Sequence, residues 1–112
     1  MKRAERAMQV WQVLLSLAYN RQTLTYNNLS KIIGMESNIP DAVKHYLEVI
    51  TKYCKNNSLL PLSALIVNQK TGLPDISIIS GKVDFNKTRE SIYKYPWYKI
   101  KPIKLTDLEK YS

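Results

Sequence analysis

The segment from Leu24 to Gly72 constrains this chain more than any other, because its apolar residues change period within it. Thr23-Leu-Thr-Tyr26 is β-branched and aromatic and predicts a short extended piece. Thr25 is then a suitable N-cap for one or two helical turns over residues 26–33, with Leu29, Ile32 and Ile33 as the apolar face. Gly34 supplies the left-handed residue on which such a helix ends. Residues 35–39 read as a polar turn. Pro40 suits a first helical position and Asp41 a helix N-terminus. Val43, Leu47, Ile50 and Cys54 follow at steps of four, three and four and make one buried stripe. Lys44, His45, Glu48, Lys52 and Lys55 lie off it, and Asn56-Asn-Ser58 stops the helix. Residues 63–67 are branched and apolar and predict a strand. Asn68-Gln-Lys-Thr-Gly72 is a turn signal, and residues 73–79 return as a second strand that Pro74 restricts to an edge. Short helix, turn, longer helix, strand and hairpin is the order of a winged helix, an architecture common among DNA readers.

The flanks complete an α+β domain of winged-helix type. Ala4, Ala7, Met8, Trp11, Leu14, Leu15 and Ala18 recur at steps of three and four and predict an amphipathic helix that ends at Asn20. Phe85, Thr88, Ile92 and Tyr95 predict a short helix over residues 84–94. The Pro-broken, aromatic segment from Tyr95 onward is expected to pack back on the domain. The expected division is an N-terminal helix at 1–20, a helix-turn-helix at 23–57, a β-hairpin wing at 63–79 and a C-terminal extension at 84–112. At 112 residues the chain is the size of one domain.

Charge narrows the partners. The chain carries 17 Lys and Arg against 9 Asp and Glu, a net charge of +8. Residues 1–56 hold eight basic and four acidic side chains and residues 57–112 nine and five, so each half has an excess of four and no basic tail stands out. A distributed positive field suits a polyanion, most simply nucleic acid; basic charge also serves solubility alone. The single cysteine excludes an intrachain disulfide and fits a reducing compartment. The N-terminus opens like a signal peptide, but Gln12 and Ser16 interrupt its apolar run, and a helix is the expectation. No run approaches the ~20 apolar residues of a membrane span, so the expected location is cytoplasmic.

Two sets of residues are candidates for binding. Lys44, His45, Lys52 and Lys55 on the longer helix, with Gln69, Lys70 and Thr71 at the hairpin tip, are candidates for nucleic-acid contact. Against that stand Asp41 and Glu48 on the same helix, and the i,i+4 pairing of Glu48 with Lys52 on an ordinary solvated face. The eight tyrosines, with Trp11 and Trp97, suggest either base stacking or partner recognition, and Tyr93, Tyr95, Trp97 and Tyr98, bracketed by Lys94, Lys99 and Lys101, are candidates for a partner-binding interface. The competing reading is a C-terminal clamp on a small core. Cys54 falls on the apolar stripe and reads as a core residue. One His and one Cys cannot build a Cys/His zinc site, and no phosphate loop or nucleophile motif is present, so no catalytic residue, metal or cofactor is expected.

Leu24-Thr-Tyr-Asn-Asn-Leu-Ser-Lys-Ile-Ile-Gly34 resembles the start of the DNA-binding part of the O6-alkylguanine alkyltransferases and alkyltransferase-like proteins. That group has a Thr-Tyr-Gly-x-[Leu/Val/Ile]-Ala-x-x-[Leu/Ile]-Gly stretch before its recognition helix, and later a Pro-Cys-His-Arg landmark. The corresponding piece here is Leu62-Ser-Ala-Leu-Ile-Val-Asn68, in which Ser63 stands at the alkyl-accepting position and Ala64 and Leu65 replace His and Arg. Alkyl transfer needs a thiolate activated by a base, so the resemblance implies the winged-helix framework without the transferase chemistry. Residues 61–74 also resemble small uncharacterised proteins of bacteria, phages and mobile elements. The resulting expectation is a non-catalytic protein that binds double-stranded DNA, a small regulator or accessory factor of a phage or mobile element. The alternative from another class is a protein–protein interaction module that inhibits or adapts a host or phage complex.

Overall fold

The computed structural model describes residues 3–35, 40–74 and 84–112. Its elements in chain order are α1 (Arg3–Tyr19), β1 (Leu24–Thr25), α2 (Tyr26–Ile32), α3 (Pro40–Asn56), a 3-10 turn (Leu62–Leu65), β2 (Ile66–Val67), α4 (Phe85–Lys94), a second 3-10 turn (Trp97–Lys99) and α5 (Leu105–Glu109). The domain is mostly helical. Its described sheet is one parallel pair, Leu24 opposite Ile66 and Thr25 opposite Val67.

Local chemistry explains where the helices start and stop. Thr25 caps α2, its Oγ1 accepting from the Asn28 N–H at 3.3 Å. The Asp84 carboxylate caps α4 by accepting from the N–H groups of Asn86 and Lys87. α2 ends on Gly34 at φ 77, with Met35 N–H donating to the Ser30 carbonyl and Gly34 N–H to that of Lys31. α1 and α3 end on the same doubly bonded left-handed turn, but the left-handed residues are Arg21 (φ 55) and Ser58 (φ 56). A side chain there costs roughly 1–2 kcal/mol that glycine avoids.

α1 and α3 form the centre of the core. α1 buries Ala4, Ala7, Trp11, Leu14 and Ala18 as its spacing predicts, together with Val10 and Leu17, while the expected Met8 and Leu15 are only partly buried at the edge of the stripe. α3 buries Tyr46, Val49 and Tyr53 in addition to the expected Val43, Leu47, Ile50 and Cys54. At about 100° per residue these seven cover nearly half the helix circumference, a wider face than the predicted stripe. The reason is that α3 packs against α1, α2, α5 and the Leu62–Leu65 turn together. α2 packs on α3 through Leu29 and Ile33, while the expected turn between them lies partly outside the described residues.

The expected hairpin wing is corrected. Residues 62–67 are buried without a break, and the first four wind into a 3-10 turn instead of extending. Only Ile66 and Val67 are extended, and they pair in parallel with β1. A wing strand with one wet face needs alternating polarity, whereas a continuous apolar run suits a parallel pair buried on both faces. The turn at residues 68–73 does form and closes on itself. Asn68 N–H donates to the Leu73 carbonyl and Gly72 N–H to the Asn68 carbonyl, both at 2.8 Å, with Gly72 at φ 68. The Asn68 side chain accepts from Lys70 N–H at 2.8 Å. Of the expected second strand, residues 75–79 lie outside the described residues.

The C-terminal extension packs back as expected. Trp97 is buried, donates its indole N–H to the Ile92 carbonyl at 2.8 Å, and meets Trp11 edge to face at 6.3 Å. α5 adds the fully buried Leu108 against α1 and α3. Trp97→Ala is expected to lower stability by about 3–5 kcal/mol, the cost of emptying a buried aromatic site. Urea denaturation followed through Trp11 fluorescence measures it.

Candidate nucleic-acid interface

A groove of about 680 Å³ lies between the start of α2, α3 and the loop that follows β2. The parallel pairing of Thr25 with Val67 creates it, since it sets the first turn of α2 beside the loop at residues 68–73. Lys44 enters from α3, and Gln69, Lys70 and Thr71 enter from the loop. Thr25, Tyr26 and Asn27 line it from the α2 side, and Phe85 from the first turn of α4. Among the described residues that line it, two are lysines and none is a carboxylate. A polyanion entering here meets, among the described lining residues, cations and neutral hydrogen-bonding groups.

The other α3 candidates do not join this groove. Lys52 and Lys55 are exposed on the outer side of α3, but they follow Lys44 by about 12 and 16 Å along the axis. His45 is half-buried. Its Nε2 is enclosed and bonded to no described residue, and its ring meets Tyr46 edge-on at 6.3 Å. Ser63, the residue at the alkyl-accepting position in the family resemblance, is 1% exposed, and its hydroxyl bonds that of Thr51 at 2.6 Å.

The aromatic candidates line a second cleft, of about 410 Å³, at the other end of α4. Tyr93, Tyr95, Trp97 and Tyr98 form one side, and Leu15, Tyr19 and Arg21 the other. Trp97 belongs to the floor, where it is buried, whereas Tyr98 is exposed. Arg21 lies over the Tyr93 ring, 5.1 Å from its centroid, and its guanidinium is paired with Glu90. That hydrogen bond holds the Glu90 carboxyl below its ordinary range. Burial raises the Tyr93 hydroxyl.

Tyr19, Arg21, Thr25, Tyr26, Asn27 and Phe85 line these two sites without having been binding candidates in the sequence. The available signal at Arg21 was its place after a helix end, where glycine is favoured and arginine is costly. No group of three His, Cys, Asp or Glu residues capable of holding a metal occurs among the described residues. No described helix is long and apolar enough to cross a membrane. No protein-family model matches the chain, and no curated protein or solved structure does either.

Two outcomes follow from these environments. Arg21→Gly and Arg21→Ala both lose the Glu90 and Tyr93 contacts, but only glycine escapes the left-handed strain. Arg21→Gly is therefore expected to be the more stable by roughly 1 kcal/mol in thermal melts. Burial pushes the Cys54 thiol from its ordinary 9.0 to about 11, opposed by a hydrogen bond with the Leu62 backbone. Its folded value lies above its unfolded one, so the associated stability is complete below pH 9.0 and declines as pH rises toward about 11. Denaturation across that window is expected to show the decline, and Cys54→Ala to reduce it. Native Cys54 is expected to resist alkylation at neutral pH until the chain is unfolded.

Proposed function

We propose that this domain is a non-catalytic DNA-binding protein that holds duplex in the groove between α2, α3 and the loop at residues 68–73, as a small regulator or accessory factor of a phage or mobile element. The observation that carries the proposal is the meeting of Lys44 and Lys70, distant in sequence, in one groove with the polar side chains of Asn27, Gln69 and Thr71. The net charge of +8 supplies a long-range field of the right sign. The resemblance of Leu24–Gly34 to a DNA-binding segment points the same way. In this reading Lys44 and Lys70 meet phosphates, while Asn27, Gln69 and Thr71 supply hydrogen bonds to the backbone or to base edges. The self-bonded loop takes the part that the hairpin wing was expected to take. α3 contributes its first turns rather than its whole length, since nearly half of its surface is committed to the core.

Duplex affinity is expected to fall steeply with salt, the logarithmic slope being about −0.9 per phosphate neutralised. Lys70→Ala is expected to make that slope shallower by about one, and Lys44→Ala likewise. Lys52→Ala, at the far end of α3, leaves it unchanged. Fluorescence anisotropy with a labelled duplex across a salt series reads all four proteins. The proposal fails if no duplex is retained at low salt, or if Lys52→Ala weakens binding as much as Lys70→Ala.

A further inference from the structure

The aromatic cleft differs from the groove in its chemistry. Tyr19 and Tyr98 are each 70% exposed, and their rings meet edge to face with centroids 5.5 Å apart. An edge-on pair this exposed leaves ring faces open to solvent. In the same cleft Tyr95 packs against the buried Trp97, with ring centroids 4.6 Å apart. The rim is cationic. Lys99 lines the cleft, and Lys101 lines an adjoining hollow of about 270 Å³ that shares Leu15, Trp97 and Tyr98 with it. Glu90, the carboxylate bonded to Arg21 at the rim, also lies 3.9 Å from Lys94 Nζ, so two cations offset its charge. Exposed ring faces beside a positive rim complement a flexible polyanion that carries flat rings.

We infer that this cleft is a stacking site for unpaired bases, so that the domain recognises duplex DNA with an adjoining single strand. The inference rests on the DNA-binding reading and names the substrate class within it. α4 joins the two sites. Phe85 in its first turn lines the groove, and Tyr93 in its last turn lines the cleft. Eight residues of helix separate them by about 12 Å. Even at the ~3.4 Å spacing of stacked duplex, a strand leaving the duplex covers that in no more than about four nucleotides. Tyr19 and Tyr98 stack the bases, and Arg21, Lys99 and Lys101 accompany the phosphates. Arginine at the left-handed residue 21 then has a use that glycine cannot supply.

The test compares a blunt duplex, the same duplex carrying a single-stranded thymidine tail, and the tail oligonucleotide alone, with the full chain and anisotropy as the readout. The tail is expected to tighten duplex binding at least about fivefold, the smallest gain that one stacked base contributes. Tyr98→Ala and Tyr19→Ala are expected to remove that gain and leave blunt-duplex affinity unchanged, while Tyr98→Phe keeps it. Both tyrosines are exposed, and an unchanged melting temperature confirms that each variant is folded. Equal affinity for blunt and tailed duplex overturns the inference, as does a gain that survives Tyr98→Ala. An acidic polypeptide that displaces the tail as well as competing thymidine oligonucleotide does overturns it too, since charge alone then explains the gain. If blunt duplex fails to bind but the tail oligonucleotide binds in a Tyr98-dependent way, the groove reading falls and the stacking site stands. If neither binds, both fall.

Discussion

The unbroken burial of residues 62–67 is the constraint on which the rest of this structure depends. Six consecutive buried residues cannot lie on a two-faced wing, because every second side chain would then meet water. The chain resolves this by winding Leu62–Leu65 into a 3-10 turn held among α1, α3 and α4. The one polar side chain in the run, Ser63, is satisfied by Thr51 of α3, so the segment carries its hydroxyl into the core at little cost. Ile66 and Val67 then meet β1 in parallel and place the following loop beside α2 and Lys44. A surface groove thus follows from a requirement of the core.

A second constraint acts through the aromatic rings. Trp11 meets Tyr53 of α3 at 5.6 Å and Trp97 of the C-terminal segment at 6.3 Å, both edge to face. Tyr53 in turn meets Tyr111 at 6.4 Å. This chain of rings attaches the Pro-broken extension to the two long helices without a strand or a disulfide. It divides the aromatic residues into two populations. Trp11 and Trp97 are buried, while Tyr19 and Tyr98 share the cleft with Trp97 and remain open to solvent. The same cluster therefore supplies buried rings to the core and exposed rings to the cleft. The groove brings Lys44 and Lys70 together, whereas the cleft admits Glu90 beside Arg21 and Lys94.

The elements with strong periodicity and local capping were legible in the sequence. α1, α2 and α4 lie where apolar spacing and the Thr25 cap place them, and Gly34 ends α2 as a left-handed residue. Gln69, Lys70 and Thr71 were legible as a polar loop, and Lys44 as a lysine off the buried stripe. What the sequence did not give away was their meeting, because proximity between α3 and the loop depends on how β2 pairs. α5 was also missed, since five residues with one buried leucine leave no periodic trace. Lys52 and Lys55 looked equivalent to Lys44 because helical spacing records direction around the axis and not which neighbour lies opposite.

By itself the sequence determined the four longer helices, the Thr25 cap and the Gly34 stop, the net positive charge and the presence of an apolar run before a glycine turn. Those properties are set by each residue's own conformational and solvation preferences within a few neighbours. Only the tertiary structure decided that the run pairs in parallel instead of forming a hairpin, that α3 gives nearly half of its surface to the core, and that Arg21 reaches Glu90 and Tyr93. Each of these joins segments far apart in the chain. An apolar run reports that it must be buried, but the packing of the whole domain selects its partner.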